Sequence, residues 1–171
     1  MKTLKLLSIL LIATLASCSS VRVNADYDKK AVFTNYKSYA YLKNGIDKAE
    51  ISDLDKKRIL YSIDEVMSAK GFVKSENPDV LISIFTKERE RVDIYNNMGF
   101  GWGWNPYWGM GYSNVTTSQE GSLFIDIIDA KTKELVWQGE GTGSLTKNTD
   151  KKDARIKEFV SKILEQYPPK K

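Results

Sequence analysis

Gly121-Ser122-Leu123-Phe124-Ile125-Asp126-Ile127-Ile128-Asp129, then Ala130-Lys131-Thr132-Lys133, then Glu134-Leu135-Val136-Trp137-Gln138-Gly139, is the stretch that decides the fold. Leu123, Ile125 and Ile127 recur with period two, which puts them on one face of a strand. The polar four-residue link turns the chain back into a second alternating run, so 121–129 and 134–145 pair as an antiparallel hairpin. Gly139, Gly141 and Gly143 alternate in the returning strand, the mark of a bulge or of a backbone that another element approaches closely. Asp126 and Asp129 flank the turn. Three residues apart, they fall on opposite faces and form no local acid/base pair, and Asp129 is placed to accept backbone hydrogen bonds of the turn.

Two helices flank this hairpin in sequence. From Ile51 to Lys70 an apolar stripe recurs at three- and four-residue spacing through Leu54, Ile59, Leu60, Ile63, Val66 and Met67. Ser52 and Asp55 have the spacing of a capping box, Gly71 supplies the left-handed position after the helix, and Phe72 folds back onto it. Lys151 to Tyr167 carries a second stripe, Ile156, Phe159, Val160, Ile163, Leu164 and Tyr167, with Asp150 as N-cap and Pro168-Pro169 as the stop. Further strands are predicted at Val21 to Tyr27 and Ser38 to Leu42, the latter followed by an Asn44-Gly45 turn. Asp79 to Tyr95 reads as a long strand with Val80, Ile82, Ile84, Val92 and Ile94 on one face. Glu88 and Glu90 interrupt that face, so the strand projects beyond the core there or bulges. The pattern has no regular βαβ rhythm. It predicts a single α+β domain in which a mainly antiparallel sheet packs against two amphipathic helices.

Composition narrows the chemistry. Of 171 residues, 42% are hydrophobic, one is cysteine and none is histidine. Without histidine there is no Ser-His-Asp or Cys-His catalysis and no His-based metal centre, so no cofactor and no metal site are expected. The cysteine has a different use. Lys2 and Lys5 precede the apolar run Leu6 to Leu15, and Leu15-Ala16-Ser17-Cys18 follows, the layout of a secretory signal peptide. The run is about half the roughly 20 residues of a transmembrane helix. Leu-Ala-Ser-Cys resembles the bacterial lipobox, which implies cleavage after residue 17, a mature domain of residues 18–171, and fatty acylation (palmitate) of Cys18. Ser19, where Asp is associated with inner-membrane retention, implies by the same resemblance an outer-membrane lipoprotein. The absence of an acidic cluster after Cys18 favours the periplasmic face. Loss of Lys2 and Lys5 with the signal peptide lowers the formal charge from +4 to +2. Such a balance predicts no nucleic-acid partner.

The most unusual segment is 99–112, with Phe100, Trp102, Trp104, Tyr107, Trp108 and Tyr112 set among glycines and broken at Asn105-Pro106. Four readings of it stand open: rings folded back over an apolar groove of the same domain, a bilayer contact, a partner-protein contact, and stacking on a glycan. Tyr and Trp suit both membrane and protein interfaces, being apolar bodies with one polar tip.

In order, the chain shows Asp26-Tyr27-Asp28 with Phe33, Tyr36, Tyr39 and Tyr41, then Lys70-Gly71-Phe72 and Asn77-Pro78-Asp79-Val80-Leu81. The Gly/aromatic stretch, the Gly121 to Gly139 hairpin and a terminal helix follow. This order resembles the small bacterial envelope lipoproteins grouped as domain of unknown function 4136. The resemblance implies an α+β domain and a lipid anchor, and carries over no catalytic residue. The expectation is a lipid-anchored periplasmic domain with a non-catalytic binding or scaffolding role. Its partners would be the membrane through acylated Cys18 and an envelope protein or glycan through the aromatic segment. The alternative is a carboxylate-dependent enzyme acting on an envelope polymer such as a glycan. Its candidates would come from Asp126, Asp129, Glu88 and Glu90, although the last two, bracketed by Lys87, Arg89 and Arg91, read better as a solvated strand end.

Overall fold

The computed structural model describes residues 21–95, 114–144, 146 and 148–170, with the backbone path alone for 88–95 and 114–119. The elements are β1 (Val21–Tyr27), β2 (Ser38–Tyr41), α1 (Lys43–Asp47), α2 (Asp53–Ala69), β3 (Val73–Lys74), β4 (Val80–Tyr95), β5 (Asn114–Asp129), β6 (Leu135–Ser144) and α3 (Thr149–Glu165). Among the described residues the strands form one sheet in the order β1-β6-β5-β4-β2-β3. The pairs β1/β6, β6/β5 and β5/β4 are antiparallel, whereas β2 lies parallel to both β3 and β4. The fold is therefore α+β with a mostly antiparallel sheet. Its parallel edge follows from the α2 crossover, which returns the chain to the end of the sheet from which β2 started.

The local signals around α2 act as read. Ser52 accepts a hydrogen bond from the Asp55 amide, Gly71 adopts φ 84°, and the Phe72 amide donates to the Met67 carbonyl. Two local expectations are corrected. The cap of α3 is Asn148, whose side chain accepts from the Asp150 amide, so Asp150 sits inside the first turn where its charge suits the helix N-terminus. Asn44 and Gly45 lie within α1 rather than in an open turn, because Leu42 still donates to the Ile82 carbonyl and the chain coils directly from there. Gly45 is needed for contact: a Cβ at this position would collide with the Ser83 side chain.

The core lies between the sheet and the α2/α3 layer. Ile82, Ile84, Ile125, Ile127 and Trp137 on the sheet, Ile63 and Met67 on α2, and Val160, Ile163 and Leu164 on α3 are fully buried. Each such side chain contributes about 1.5–3 kcal/mol on leaving water. Between Ile127 and Ile128 the register shifts, so that Ile127 pairs with Trp137 and Ile128 with Leu135. Val136 is the extra residue of this bulge, which explains why both Val136 and Trp137 are buried in a strand whose period-two pattern would turn one of them out. At the hairpin end the core is closed by rings: Tyr167 meets Trp137, Phe33 and Phe72 at centroid distances of 5.3, 5.9 and 5.9 Å. The two helices run side by side in the same sense, with Lys152 bonding Asp55 at 2.7 Å near both N-termini and Lys157 bonding Glu65 further along.

The β6 glycines allow this packing. A Cβ on Gly141 would lie 2.8 Å from two carbons of Ile163, and one on Gly139 would lie 2.5 Å from Ile163 Cγ2 and collide with the Trp137 ring. Gly139→Ala is expected to destabilise the fold by about 1–3 kcal/mol, the usual cost of overpacking. Ile163→Ala in the same chain should recover part of that loss, read as non-additivity in urea unfolding of the two single variants and the double variant.

Candidate functional site

Strand register fixes where the chain enters β1 and where the long β4–β5 connection leaves the sheet. Val21 pairs with Gly143, Gly143 with Gly121, and Gly121 with Glu88, so all four lie in one row across the sheet. β6 ends at Ser144, opposite Glu120, but β4 and β5 remain paired from Glu90 and Gln119 out to Tyr95 and Asn114. At about 3.4 Å per residue this two-stranded ribbon projects about 20 Å past β6. The interruption at Glu88 and Glu90 is thus a strand running beyond the core, without a break in pairing. Chain entering β1 arrives at the same end of the sheet. Cys18 and the ring-bearing residues Phe100, Trp102, Trp104, Tyr107, Trp108 and Tyr112 lie outside the described residues, as do the side chains of Glu88 and Glu90. What the structure describes is the base from which each segment departs.

The described carboxylates divide into two kinds. Asp129 accepts from the Lys131 and Thr132 amides at 2.7 and 3.0 Å and from the Tyr36 hydroxyl at 2.9 Å. The turn amides hold it below the usual carboxylate range, while burial and this carboxylate push the Tyr36 phenol up to about 12. Asp79 is held low in the same manner, accepting from the amides of Lys37 and Ser38 and from the Ser38 hydroxyl. These two acids pin the segment that crosses from β1 to β2, and their acceptor oxygens are engaged in doing so.

Asp64 on α2 was not singled out by sequence reasoning, although Tyr39 and Tyr41, two apart on one strand face, were the available signal. It accepts from the Tyr39 hydroxyl at 2.8 Å, the Tyr41 hydroxyl at 2.6 Å and Lys74 Nζ at 2.6 Å. Burial opposes its charge, but Lys74 and the two phenols outweigh burial and keep its pKa low. Asp126 behaves oppositely. It is a mid-strand residue rather than a turn flank, on the sheet face away from α2 and α3, and burial raises its pKa against a single opposing bond from the Gln138 amide at 2.7 Å. Its face also carries the stacked pair Phe85/Phe124, with centroids 4.2 Å apart, and the Ser122/Thr142 hydroxyl contact at 2.8 Å. Asp126 and Asp129 are therefore separated in face and in environment, and do not form a pair flanking one substrate bond. Among the described residues no three of His, Cys, Asp and Glu are gathered to hold a metal, and no helix is long and apolar enough to cross a membrane.

A groove of about 370 Å³ opens at the ribbon end of the domain, between the first halves of α2 and α3 and the adjoining sheet. Its lining includes Ile51, Ile59, Leu123 and Ile156, with Lys152 and Arg155 among the polar members.

The two classes of acid predict pH effects of opposite sign. Asp64 has a folded pKa below its unfolded value, so its stabilisation is complete above about pH 4 and is lost as pH falls through the folded value. Asp64→Asn should therefore cost about 1–3 kcal/mol near neutral pH, and the difference from the native chain should shrink as the pH falls below the ordinary carboxylate range. Asp126, with a raised folded pKa, opposes folding when ionised. Asp126→Asn should raise the urea midpoint at neutral pH and leave it unchanged in acid.

No curated protein matches the chain. Among solved structures, a PDZ domain protein from Parabacteroides distasonis aligns with a TM-score of 0.53 at 17% identity, over 89% of this chain and 37% of that one. The chain thus spans little more than a third of that protein's length. The PelC dodecamer from Paraburkholderia phytofirmans aligns with a TM-score of 0.50 at 12% identity, over 88% of this chain and 99% of that one. At such identities the likeness is one of fold. The sequence profile described as Domain of unknown function (DUF4136) matches residues 23–169, which include every strand from β2 to β6, all three helices and most of β1. The chain belongs to the DUF4136 family.

Proposed function

We propose that this protein is a lipid-anchored domain on the periplasmic face of the outer membrane, attached through acylated Cys18. It acts as a non-catalytic binding or scaffolding module of the cell envelope. Its contact surface is the aromatic segment, through Phe100, Trp102, Trp104, Tyr107, Trp108 and Tyr112, and its partner is an envelope protein or glycan. The observation that carries the reading is the common row of Val21, Gly143, Gly121 and Glu88. Cys18 precedes Val21 by three residues, a reach of about 10 Å at full extension. A lipid at Cys18 would hold the ribbon end of the sheet close to the bilayer surface, and the aromatic segment continues from the tip of that ribbon. Each buried acyl methylene adds about 0.8 kcal/mol of membrane affinity, so two or more chains anchor stably without a transmembrane helix. Rings with one polar tip, presented at that level, are suited to a partner that is itself held in or near the membrane.

Metabolic labelling with a clickable palmitate analogue checks the anchor. The native chain is expected to take up label and Cys18→Ser to take up none; equal labelling of the two would refute the lipoprotein reading. For the contact surface, Trp102, Trp104 and Trp108 are changed together to Ala and the protein is crosslinked in intact envelopes. The substituted protein should lose its crosslinked partners while keeping native circular dichroism, and unchanged crosslinks would remove the aromatic segment from the proposal.

A further inference from the structure

The apolar groove at the ribbon end has no part in the function proposed above. Its apolar walls come from four places in the chain: Ile51 ahead of α2, Ile59 on α2, Ile156 on α3 and Leu123 on β5. Ile59 and Leu123 are buried members of the core, whereas Ile51 and Ile156 are only partly covered and form the outer part of the groove. The groove therefore continues the hydrophobic core outward to solvent. Lys152 and Arg155 belong to its lining, with Lys152 bonded to Asp55 and Arg155 bonded to Glu158. The Arg155 guanidinium also lies 4.7 Å from the Phe159 ring centroid, so cationic groups border the apolar floor.

Position selects the occupant. Gly121, in the groove, lies on β5 in the row that holds Val21, Leu123 lies two residues further along the same strand, and neighbouring strands are about 4.8 Å apart. Val21 is thus about 10 Å, two strand spacings, from the groove lining, and two residues, Ser19 and Ser20, separate it from Cys18. We propose that the groove binds one acyl chain of an anionic phospholipid drawn from the bilayer to which the protein is tethered, with Lys152 and Arg155 facing the head group. The bilayer as the source of the lipid rests on the anchored reading above; the groove chemistry does not. An apolar slot continuous with the core accepts methylenes without leaving polar groups unpaired. With Asp55 set against Lys87, Lys152 and Arg155, the lining keeps a net positive charge that favours a phosphate over a zwitterionic head, and the tether keeps the slot within reach of the lipid surface.

The test uses residues 19–171, which contain the whole described fold, so that neither the acyl anchor nor the apolar run Leu6 to Leu15 accounts for any lipid recovered. The protein is mixed with vesicles of phosphatidylglycerol and phosphatidylcholine in equal parts, re-isolated by gel filtration, and its bound lipid is quantified by mass spectrometry. Saturable retention of one lipid per chain, enriched in phosphatidylglycerol, is expected. Ile156→Glu and Ile51→Glu, each confirmed as folded by circular dichroism, should retain roughly tenfold less, as for a loss of about 1.4 kcal/mol. Ile51 lies outside the helices and serves as the second variant should Ile156→Glu fail to fold. No retained lipid, equal retention by a folded groove variant, or a dimer that protects the groove would overturn the proposal, and equal capture of both lipids would overturn the head-group assignment. Lipid capture by residues 19–171 alongside absent palmitate labelling of the native chain would refute the anchor and leave the groove assignment standing.

Discussion

The close approach of α3 to β6 is the contact on which the rest of the architecture depends. A helix normally rests on a sheet through two layers of side chains. Here Gly139 and Gly141 remove one layer, and Ile163 descends onto bare backbone. The space released over Gly139 is filled by the Trp137 ring, which is itself fully buried and touches Tyr167 at the end of the same helix. Gly139 thus serves both the indole and Ile163, and the bulge at Val136 sets the register that brings Trp137 to this face. Because α3 is fixed in this way, α2 is fixed as well, through the Lys152–Asp55 and Lys157–Glu65 ion pairs and the shared core residues Ile63 and Met67.

The two ends of the sheet have different chemistry. At the hairpin end, Asp129, Asp79, Tyr36 and the aromatic cluster around Tyr167 close the core and bind the crossing segment. Their carboxylates are held ionised by turn amides and a phenol, an arrangement that suits structural pinning and removes them from proton transfer near neutral pH. At the ribbon end, β4 and β5 outrun their neighbours, the chain enters β1, and an apolar groove opens between the helices. One end of the sheet is thus closed by rings and pinned carboxylates, while the other carries the projecting ribbon and the groove.

Much of this was legible in the chain, and where it was not the reason is physical. Both helices were visible because their stripes repeat every three to four residues, and the Ser52 and Gly71 signals act through bonds made within a few residues. The first seven residues of β5, Asn114 to Glu120, were not read as strand. Apart from Val115 they are polar and carry no apolar alternation, and pairing with β4, joined at Glu120 by β6, makes them a strand. The two-residue β3 was missed for the same reason, since it is defined by its partner β2. Proximity to the stripe points to Asp150 as the cap of α3, whereas it is the Asn148 side chain, two residues earlier, that accepts from the Asp150 amide.

Sequence by itself determined the fold class, the hairpin, both long helices, the lipobox-like Cys18 motif and the composition of the aromatic segment. These are properties of local periodicity, capping and short motifs, which depend on neighbours within a few residues. Tertiary structure alone decided the strand order, the parallel edge, the fate of the β6 glycines and the meeting of Tyr39, Tyr41 and Lys74 on Asp64. It also decided that the start of β1, the ribbon base and the groove share one end of the sheet. Each of these depends on register between strands distant in the chain. Register is set by side chains interlocking across the sheet and against the helices, and no window of consecutive residues contains that information.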